Sequence, residues 1–452
     1  MTLAPERHDV ADAPVDRIDI DPRAPHVSEA THVAATHHEL NSRLSVAGGE
    51  ERTHPPKHSG RPNPMAGLTN EEIEGIGREL DALRAEVMDS RGARDAAYIR
   101  RVIKVQRGLE IGSRVVLLFS RNKFAWVAGT AGLSLAKILE NMEIGHNVLH
   151  GQWDWMRDPK IHSTTWDWDM ASPAKQWQAS HNVLHHTYTN VLGRDNDLGY
   201  GLLRVDEDQK WELFHLGQPI WHLINAMFFE YGIAAYDLEL RGNLQNWDEL
   251  SDADKATFKA NVREMLNKIR KQCTKDYLLH PALSGPSFVP TLLANFTANT
   301  IRNLWSNTVI ICGHFPDGID TFETDSIEGE TRGEWYLRQM LGSGNISGSA
   351  FTHVMTGNLS HQIEHHLFPD MPSNRYGEIA PRIRELMERH DLHYVTGPIV
   401  KQAYQVYRKV CRLALPNEEP GRTRWSVVRG ELARVAKREG AARTKRHLPS
   451  TA

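Results

Sequence analysis

Residues 357–376 read GNLSHQIEHHLFPDMPSNRY, and the histidines in this stretch decide how the rest of the chain is read. On a helix, positions four apart share a face, so His361 or Gln362, together with His365 and His366, can direct several donors to one point. Two further clusters repeat the design. One is His146-x-x-x-His150 in GHNVLHGQWDW (145–155), and the other is His181-x-x-x-His185-His186 in HNVLHHTYTN (181–190). Neutral imidazole suits iron, copper, zinc and nickel. A lone HxxxH pair arises by chance. Three clusters with two adjacent doublets exceed what one four-coordinate zinc can use, so the surplus points to two metal ions.

The composition narrows the alternatives. The chain has 452 residues, enough for a large core, and a formal charge of -4, which suggests no nucleic-acid partner. Cys273, Cys312 and Cys411 are its three cysteines and form no CxxC. That argues against a disulfide framework, a zinc ribbon or an iron–sulfur site and fits a reducing compartment. No nucleotide-binding glycine fingerprint or haem signature is found, so neither flavin nor haem is expected in this chain. The first residues are polar, with no apolar signal segment. Mean hydropathy is -0.49, a soluble-looking value that polar tails pull down.

Residues 1–68 lack apolar periodicity and read as a disordered tail. Its histidines (His8, His26, His32, His37, His38, His54 and His58) have no ligand spacing. Order is expected from Thr69-Asn70-Glu71-Glu72, a capping-box signature, followed by Ile73, Ile76, Leu80, Leu83 and Val87 at helical spacing. A second helical stretch carries Tyr98, Val102, Ile103 and Val105 among basic residues. Three apolar stretches, 115–139, 219–238 and 288–312, are candidates for membrane burial, although none is a clean run of about 20 apolar residues. Tryptophans 126, 153, 155, 166, 168 and 177 crowd the first two clusters, as suits an interface belt or the wall of an apolar tunnel. No long apolar run separates the first two clusters, and two separate the second from the third. All three can therefore meet on one side, which the basic segment 416–452 marks as cytoplasmic. The charged segment 241–275 conflicts with this count, because it would be left on the far side unless the flanking apolar stretches are re-entrant hairpins.

Soluble di-iron bundles use glutamates with paired Glu-x-x-His motifs. Here Glu143-x-x-His146 is the one match in the ordered region, so imidazole-rich ligation without internal carboxylate bridges is favoured. The three boxes, and above all Gln362-Ile363-Glu364-His365-His366-Leu367-Phe368-Pro369, resemble the membrane fatty-acid desaturase family, closest to its acyl-coenzyme A delta-9 branch. ENMEIGH (140–146), WSNTVIICGHFPDG (305–318) and RGEWYLRQMLGS (332–343) add to the likeness.

The resemblance implies an all-α, multi-pass membrane fold of about four membrane helices, with a cytoplasmic helical cap holding a di-iron site. The desaturase domain would span 69–415, followed by the basic tail 416–452, in the cell membrane with the site facing the cytoplasm. Its implied metal ligands are His146, His150, His181, His185, His186, His365 and His366, with His314 as a further ligand. Gln362 and His361 compete for the start of the third box. Ile310 stands where some relatives carry an asparagine. Asp195 and Asp197 are candidates to accept ring protons of the liganding histidines, as against forming an ordinary turn. Glu143, Glu364 and His361 are further candidates to orient them. Trp153, Trp155 and Asn358 are candidates for substrate contact, and Asp154, Asp167 and Asp169 for the tunnel mouth. His162, His215, His222, His280, His353 and His390 lack box context. The implied reaction uses two irons and dioxygen to desaturate a saturated long-chain acyl-coenzyme A in the lipid bilayer. Electrons would come from an external NADPH-dependent flavin or ferredoxin-type donor. The rival readings are a lipid hydroxylase built on the same boxes, a non-catalytic membrane metal-binding protein, and a soluble desaturase acting on carrier-bound chains.

Overall fold

A computed structural model describes residues 63–446 apart from Asn196 and Glu419, with side chains described to residue 435. The expected tail therefore falls outside the described residues up to position 62, together with its seven histidines. In chain order the principal helices are α1 (Asn70–Asp89), α2 (Ala93–Leu117), α3 (Lys123–Leu139), α4 (Gln218–Met227), α5 (Phe229–Asp237) and α6 (Asp252–Cys273). They continue with α7 (Phe288–His314), α8 (Arg332–Leu341), α9 (Gln362–Leu367), α10 (Tyr376–Arg389), α11 (Ile399–Leu413) and α12 (Arg424–Arg446). Two three-residue strands, β1 (Asn345–Ser347) and β2 (Thr396–Pro398), pair in parallel with Ile346 opposite Gly397.

The start of α1 follows the sequence signal. The Glu72 amide donates to Thr69 Oγ1 (3.3 Å), and the Thr69 amide donates to the Glu72 carboxylate (2.8 Å), satisfying donors that a helix start otherwise leaves open. Ile73, Ile76, Leu80, Leu83 and Val87 are all buried, packed with Trp335, Leu337 and Met340 of α8 and with Ile363, Phe368 and Ile383 around the third box. Glycines make this contact close: a Cβ on Gly333 would lie 2.3 Å from the Ile73 carbonyl oxygen. Met65, four residues before Thr69, is buried in the same core.

The three apolar stretches take different forms. Among the described residues no helix is long and apolar enough to cross a membrane. Stretch 115–139 is a hairpin: the chain leaves α2, reverses at 118–122, and enters α3 under the Asn122 side-chain cap. The polar residues Arg121, Asn122 and Lys123, which interrupt the apolar stretch, close this turn and open α3. Stretch 219–238 breaks at Phe228 into helices of 10 and 9 residues, each about 15 Å or less against a hydrocarbon core of ~30 Å. Stretch 288–312 lies in the 27-residue α7, whose buried side carries Thr291, Asn295, Asn299, Arg302, Asn303, Ser306 and Asn307. Two buried carboxylates around it are paired. Asp276 accepts from Lys137 (2.8 Å) and Arg114 (2.9 Å), and Glu230 accepts from Arg302 (2.5 Å) and Gln272 (2.7 Å).

The charged segment 241–275 also finds its place. Lys271 of α6 pairs with Asp167 (3.0 Å), and Lys275, just beyond α6, pairs with Asp169 (2.8 Å), beside the approach to the second box. The approach to the second box and the C-terminal end of α6 are thus joined on the histidine side by these pairs. Away from the histidines, the ends of α2, α3 and α7 meet through Ser120 and Thr291 (2.8 Å). There Phe119, Phe124, Val127, Leu283, Phe288 and Val289 are exposed, a concentration beyond the scattered apolar residues of an ordinary surface. The C-terminal segment is not simply a tail, since it includes α12 with Val428 buried.

Candidate metal centre

Two of the three boxes sit where an α-helix widens. Helix α3 runs on as a π-helical turn over Glu140–His146, and Ala174–Trp177 runs on as one over Gln178–His185. Such insertions re-aim side chains and recur at functional sites. The third box forms the short α9, and His314 is the last residue of α7. Although up to 220 residues separate them in sequence, the histidines converge.

Nitrogen atoms of His146, His150, His181 and His365 all lie within 4.8 Å of one another, as do those of His185, His314 and His366. His186 stands between the groups, its ring centroid 4.8 Å from those of His150 and His365 and 4.5 Å from that of His366. Gln362 Nε2 is 3.0 Å from His314 Nε2, which is itself 3.2 Å from His366 Nε2. Gln362 Oε1 and His365 Nε2 are buried and have no hydrogen-bond partner. Buried donors and lone pairs left in this state carry a large desolvation cost. A cation at each convergence point removes that cost, so the residues fit a pair of metal ions.

The outer ring nitrogens explain the aim of the inner ones. His181 Nδ1 lies 3.1 Å from Asp197, and His185 Nδ1 lies 3.0 and 3.1 Å from the two oxygens of Asp195. His146 Nδ1 meets Asn147 Oδ1 at 3.0 Å, and His366 Nδ1 meets Gln339 Oε1 at 3.1 Å. His365 Nδ1 lies 3.2 Å from the Tyr376 hydroxyl, whose own proton goes to the Phe368 carbonyl. In each case Nδ1–H donates outward, leaving the Nε2 lone pair for the interior. Asp195 and Asp197 take the positions expected of ring-proton acceptors and also shape the turn, since Asp195 accepts from the Asn190 and Asp197 amides. Asn147, Gln339 and Tyr376 were not foreseen, although each lies in a stretch that carries the family likeness.

Burial, followed by neighbouring imidazoles, pushes His186, His365 and His366 well below their ordinary range, which keeps them in the neutral, metal-binding form. His185 differs. Burial lowers it, but Asp195 and Asp197 override burial and lift it to about 9.

Three candidates for orienting ligands do not do so. Glu143 accepts from Ser373 (2.7 Å), Tyr98 (2.9 Å) and Asn358 (2.9 Å), because the π turn rotates it off the His146 face. Glu364 binds Asn345 (2.7 Å) and Tyr394 (2.9 Å) on the far side of α9. His361 precedes α9 and stacks on His353 at 4.6 Å, outside both donor groups, so Gln362 is the residue facing His314. Trp153 is fully buried against Tyr98, Trp155 donates to the Gln152 carbonyl (3.1 Å), and Asn358 serves Glu143. Asp154 is bound to Ser163, and Asp167 and Asp169 are bound to lysines. Of the histidines without box context, His162, His215, His222, His280, His353 and His390 all lie outside the donor groups.

Comparison with known proteins agrees with this geometry. The fatty acid desaturase family model matches residues 124–398. The chain is 49% identical over 358 residues to the NADPH-dependent stearoyl-CoA 9-desaturase of Mycobacterium tuberculosis, covering 78% of this chain and 83% of that one. It is 24% identical over 282 residues to the sn-1 linoleoyl-lipid 6-desaturase of Synechocystis sp., covering 61% and 76%. It is 30% identical over 252 residues to the human fatty acid desaturase 3, covering 52% and 49%.

Proposed function

Since the chain belongs to the fatty acid desaturase family, we propose that it introduces a cis double bond at the ninth carbon of a saturated long-chain acyl-coenzyme A. The observation that carries this reading is the pair of compact nitrogen-donor groups, with five of their seven rings, His146, His181, His185, His365 and His366, held by an outward Nδ1 bond. His146, His150, His181 and His365 would hold one iron, and His185, His314 and His366 the other, with His186 between them and Gln362 beside the second. The bound irons supply dioxygen activation and the removal of hydrogen from unactivated methylenes. The protein supplies position. The acceptors Asp195, Asp197, Asn147, Gln339 and Tyr376 fix ring orientation and tautomer, so little reorganisation is needed when the metals bind. Trp177 stacks on His181 at 4.5 Å and meets His146 and His150 edge-on at 5.4 Å, closing that side of the site to water.

Electrons would come from a separate NADPH-dependent donor, in keeping with the name of the mycobacterial relative. The exposed apolar ends of α2, α3 and α7 would seat in the bilayer, with the histidines toward the cytoplasm. Recovery of the chain in the membrane fraction, released by detergent and not by salt, tests that seat.

The functional test is expression in a host that cannot make unsaturated fatty acids, followed by lipid mass spectrometry with double-bond localisation. A product unsaturated at the ninth carbon is expected, with two irons per purified chain. A hydroxyacyl product, or zinc-loaded protein without oxygen consumption, rejects the reading.

A further inference from the structure

The box histidines are buried or nearly so, and an external reductant needs a way to reach them. One continuous aromatic contact leads outward. Trp177 lies flat on His181 with ring centroids 4.5 Å apart and planes at 22°, and Trp168 leans on Trp177 at 5.0 Å. The Trp168 carbonyl accepts from Lys268 of α6 (3.0 Å), and the adjacent Asp167 carboxylate binds both Lys268 and Lys271. From His181 to α6 the path is thus two indoles and one lysine.

The outer side of α6 carries a local charge unlike that of the whole chain, whose net charge is -4. Lys259, Arg263, Arg270 and Lys271 are exposed there, against Glu264 among them. Lys271 leaves most of its side chain in solvent while it binds Asp167. The cations stop where exposed apolar residues begin, at Leu278 and Leu279.

We propose that α6 is the docking face of an acidic one-electron carrier protein, of the iron–sulfur or flavin class, and that Trp168 and Trp177 provide its electronic contact with His181. The proposal rests on the desaturase reading, which requires outside electrons. In the balanced reaction, –CH2–CH2–, dioxygen, two electrons and two protons give –CH=CH– and two waters. Each electron leaves a reduced carrier, which departs oxidised. Opposed charge speeds encounter and fixes orientation, and salt weakens it. An anionic lipid surface would be drawn to the same cations, so the test separates the two.

The full chain is placed in nanodiscs of zwitterionic phosphatidylcholine, and an acidic plant-type [2Fe–2S] ferredoxin is the probe. The variants are the fourfold reversal K259E/R263E/R270E/K271E, and Trp168→Leu with Trp168→Phe as the conservative form. Binding of oxidised ferredoxin, which needs no turnover, is expected to weaken roughly tenfold or more in the reversal at low salt and to converge with wild type at high salt. Dithionite-driven reduction is expected to stay unchanged in the reversal. Trp168→Leu is expected to keep the affinity and slow reduction by bound ferredoxin, with Trp168→Phe in between. Unchanged ferredoxin affinity in the reversal, or no binding by wild type, overturns the docking face. Loss of binding to phosphatidylglycerol vesicles with ferredoxin affinity intact assigns the face to lipid instead. A wild-type rate in Trp168→Leu overturns the route. Failure of every form to desaturate under dithionite counts against the desaturase reading, whereas the affinity comparison still decides the docking face.

Discussion

Replacing Asp195 with asparagine keeps the shape of the acceptor behind His185 and removes its charge. His185 Nδ1 lies 3.0 and 3.1 Å from the two carboxylate oxygens, and an asparagine Oδ1 can still accept one hydrogen bond. The turn keeps one of the two amide contacts that Asp195 accepts, from Asn190 or Asp197, and loses the other, because the asparagine NH2 donates and cannot accept. What goes is the negative charge that makes His185 a stronger base. Outer partners of this kind are worth about ten- to a hundredfold in metal affinity, or about 1.4 to 2.7 kcal/mol. The loss should fall on the group of His185, His314 and His366 and spare the other. The assay is iron content per chain after dialysis against graded chelator. Wild type should release both irons late, and the variant should release one early. Two irons held as tightly as in wild type refute the argument. The metal-free protein gives a second arm. With the folded pKa of His185 raised to about 9 from 6.5, the folded state binds this proton more tightly than the unfolded one. Its contribution is complete below pH 6.5 and is lost as pH rises through about 9, by about 3 kcal/mol at most. Asp195 itself lies above its usual range, because burial outweighs its pairing with His185, so the net worth of the pair is smaller than that slope. Thermal midpoints across this window should fall in wild type and flatten in the variant, and a flat wild-type profile contradicts the assignment.

His365→Ala should leave about one iron per chain and no unsaturated product, whereas His353→Ala should retain both, as read by metal analysis and lipid mass spectrometry; near-normal desaturation without His365 contradicts the ligand assignment. Arg302→Met strands Glu230 without its cation and should cost about 3–5 kcal/mol in a melt in detergent, whereas R302M/E230M should recover most of it; a double variant no better than the single counts against a paired buried charge. Gly333→Ala drives a Cβ to 2.3 Å from the Ile73 carbonyl and should cost about 1–3 kcal/mol, while Gly242→Ala, with open space around it, should melt like wild type.

Much of the site could be read from residue types alone. Three boxes identify seven histidines because local spacing places them on shared helix turns, and the Gly/Asp turn after the second box placed Asp195 and Asp197 near it. The acceptors contributed by Gln339 and Tyr376 were hidden, since they reach the rings only through the packing of α8 and α10 on α9. Glu143 was misread because a three-residue spacing promises a shared face on an α-helix, and the chain there is π-helical. Hydropathy windows hide local breaks for a similar reason. An average over 115–139 passes straight through a reversal, and an average over 219–238 passes through the break at Phe228. With that stretch counted as a crossing, α6 is left on the far side, although its Lys268 and Lys271 bind Asp167, and Lys275 just beyond it binds Asp169, on the histidine side.

The fate of the two glutamates nearest the boxes bears on the kind of metal site this is. Glu143 is held by three neutral donors and Glu364 by two, all directed away from the donor groups. Burial also raises Glu364 to about 7, against the pull of Asn345 and Tyr394. Neither carboxylate is spare, and neither can reach a metal without abandoning these bonds. Negative charge near the site comes instead from Asp195 and Asp197, one atom layer out, and both serve the second box. His181 belongs to one donor group and His185 to the other, so each metal position has one ring backed by a charged acceptor while the other rings rest on neutral oxygens or on neighbouring imidazoles. Exchanging Asp197 for asparagine should therefore weaken the group of His146, His150, His181 and His365, the mirror of the Asp195 variant. Equal loss of both irons in either variant would mean that the two positions are not filled independently.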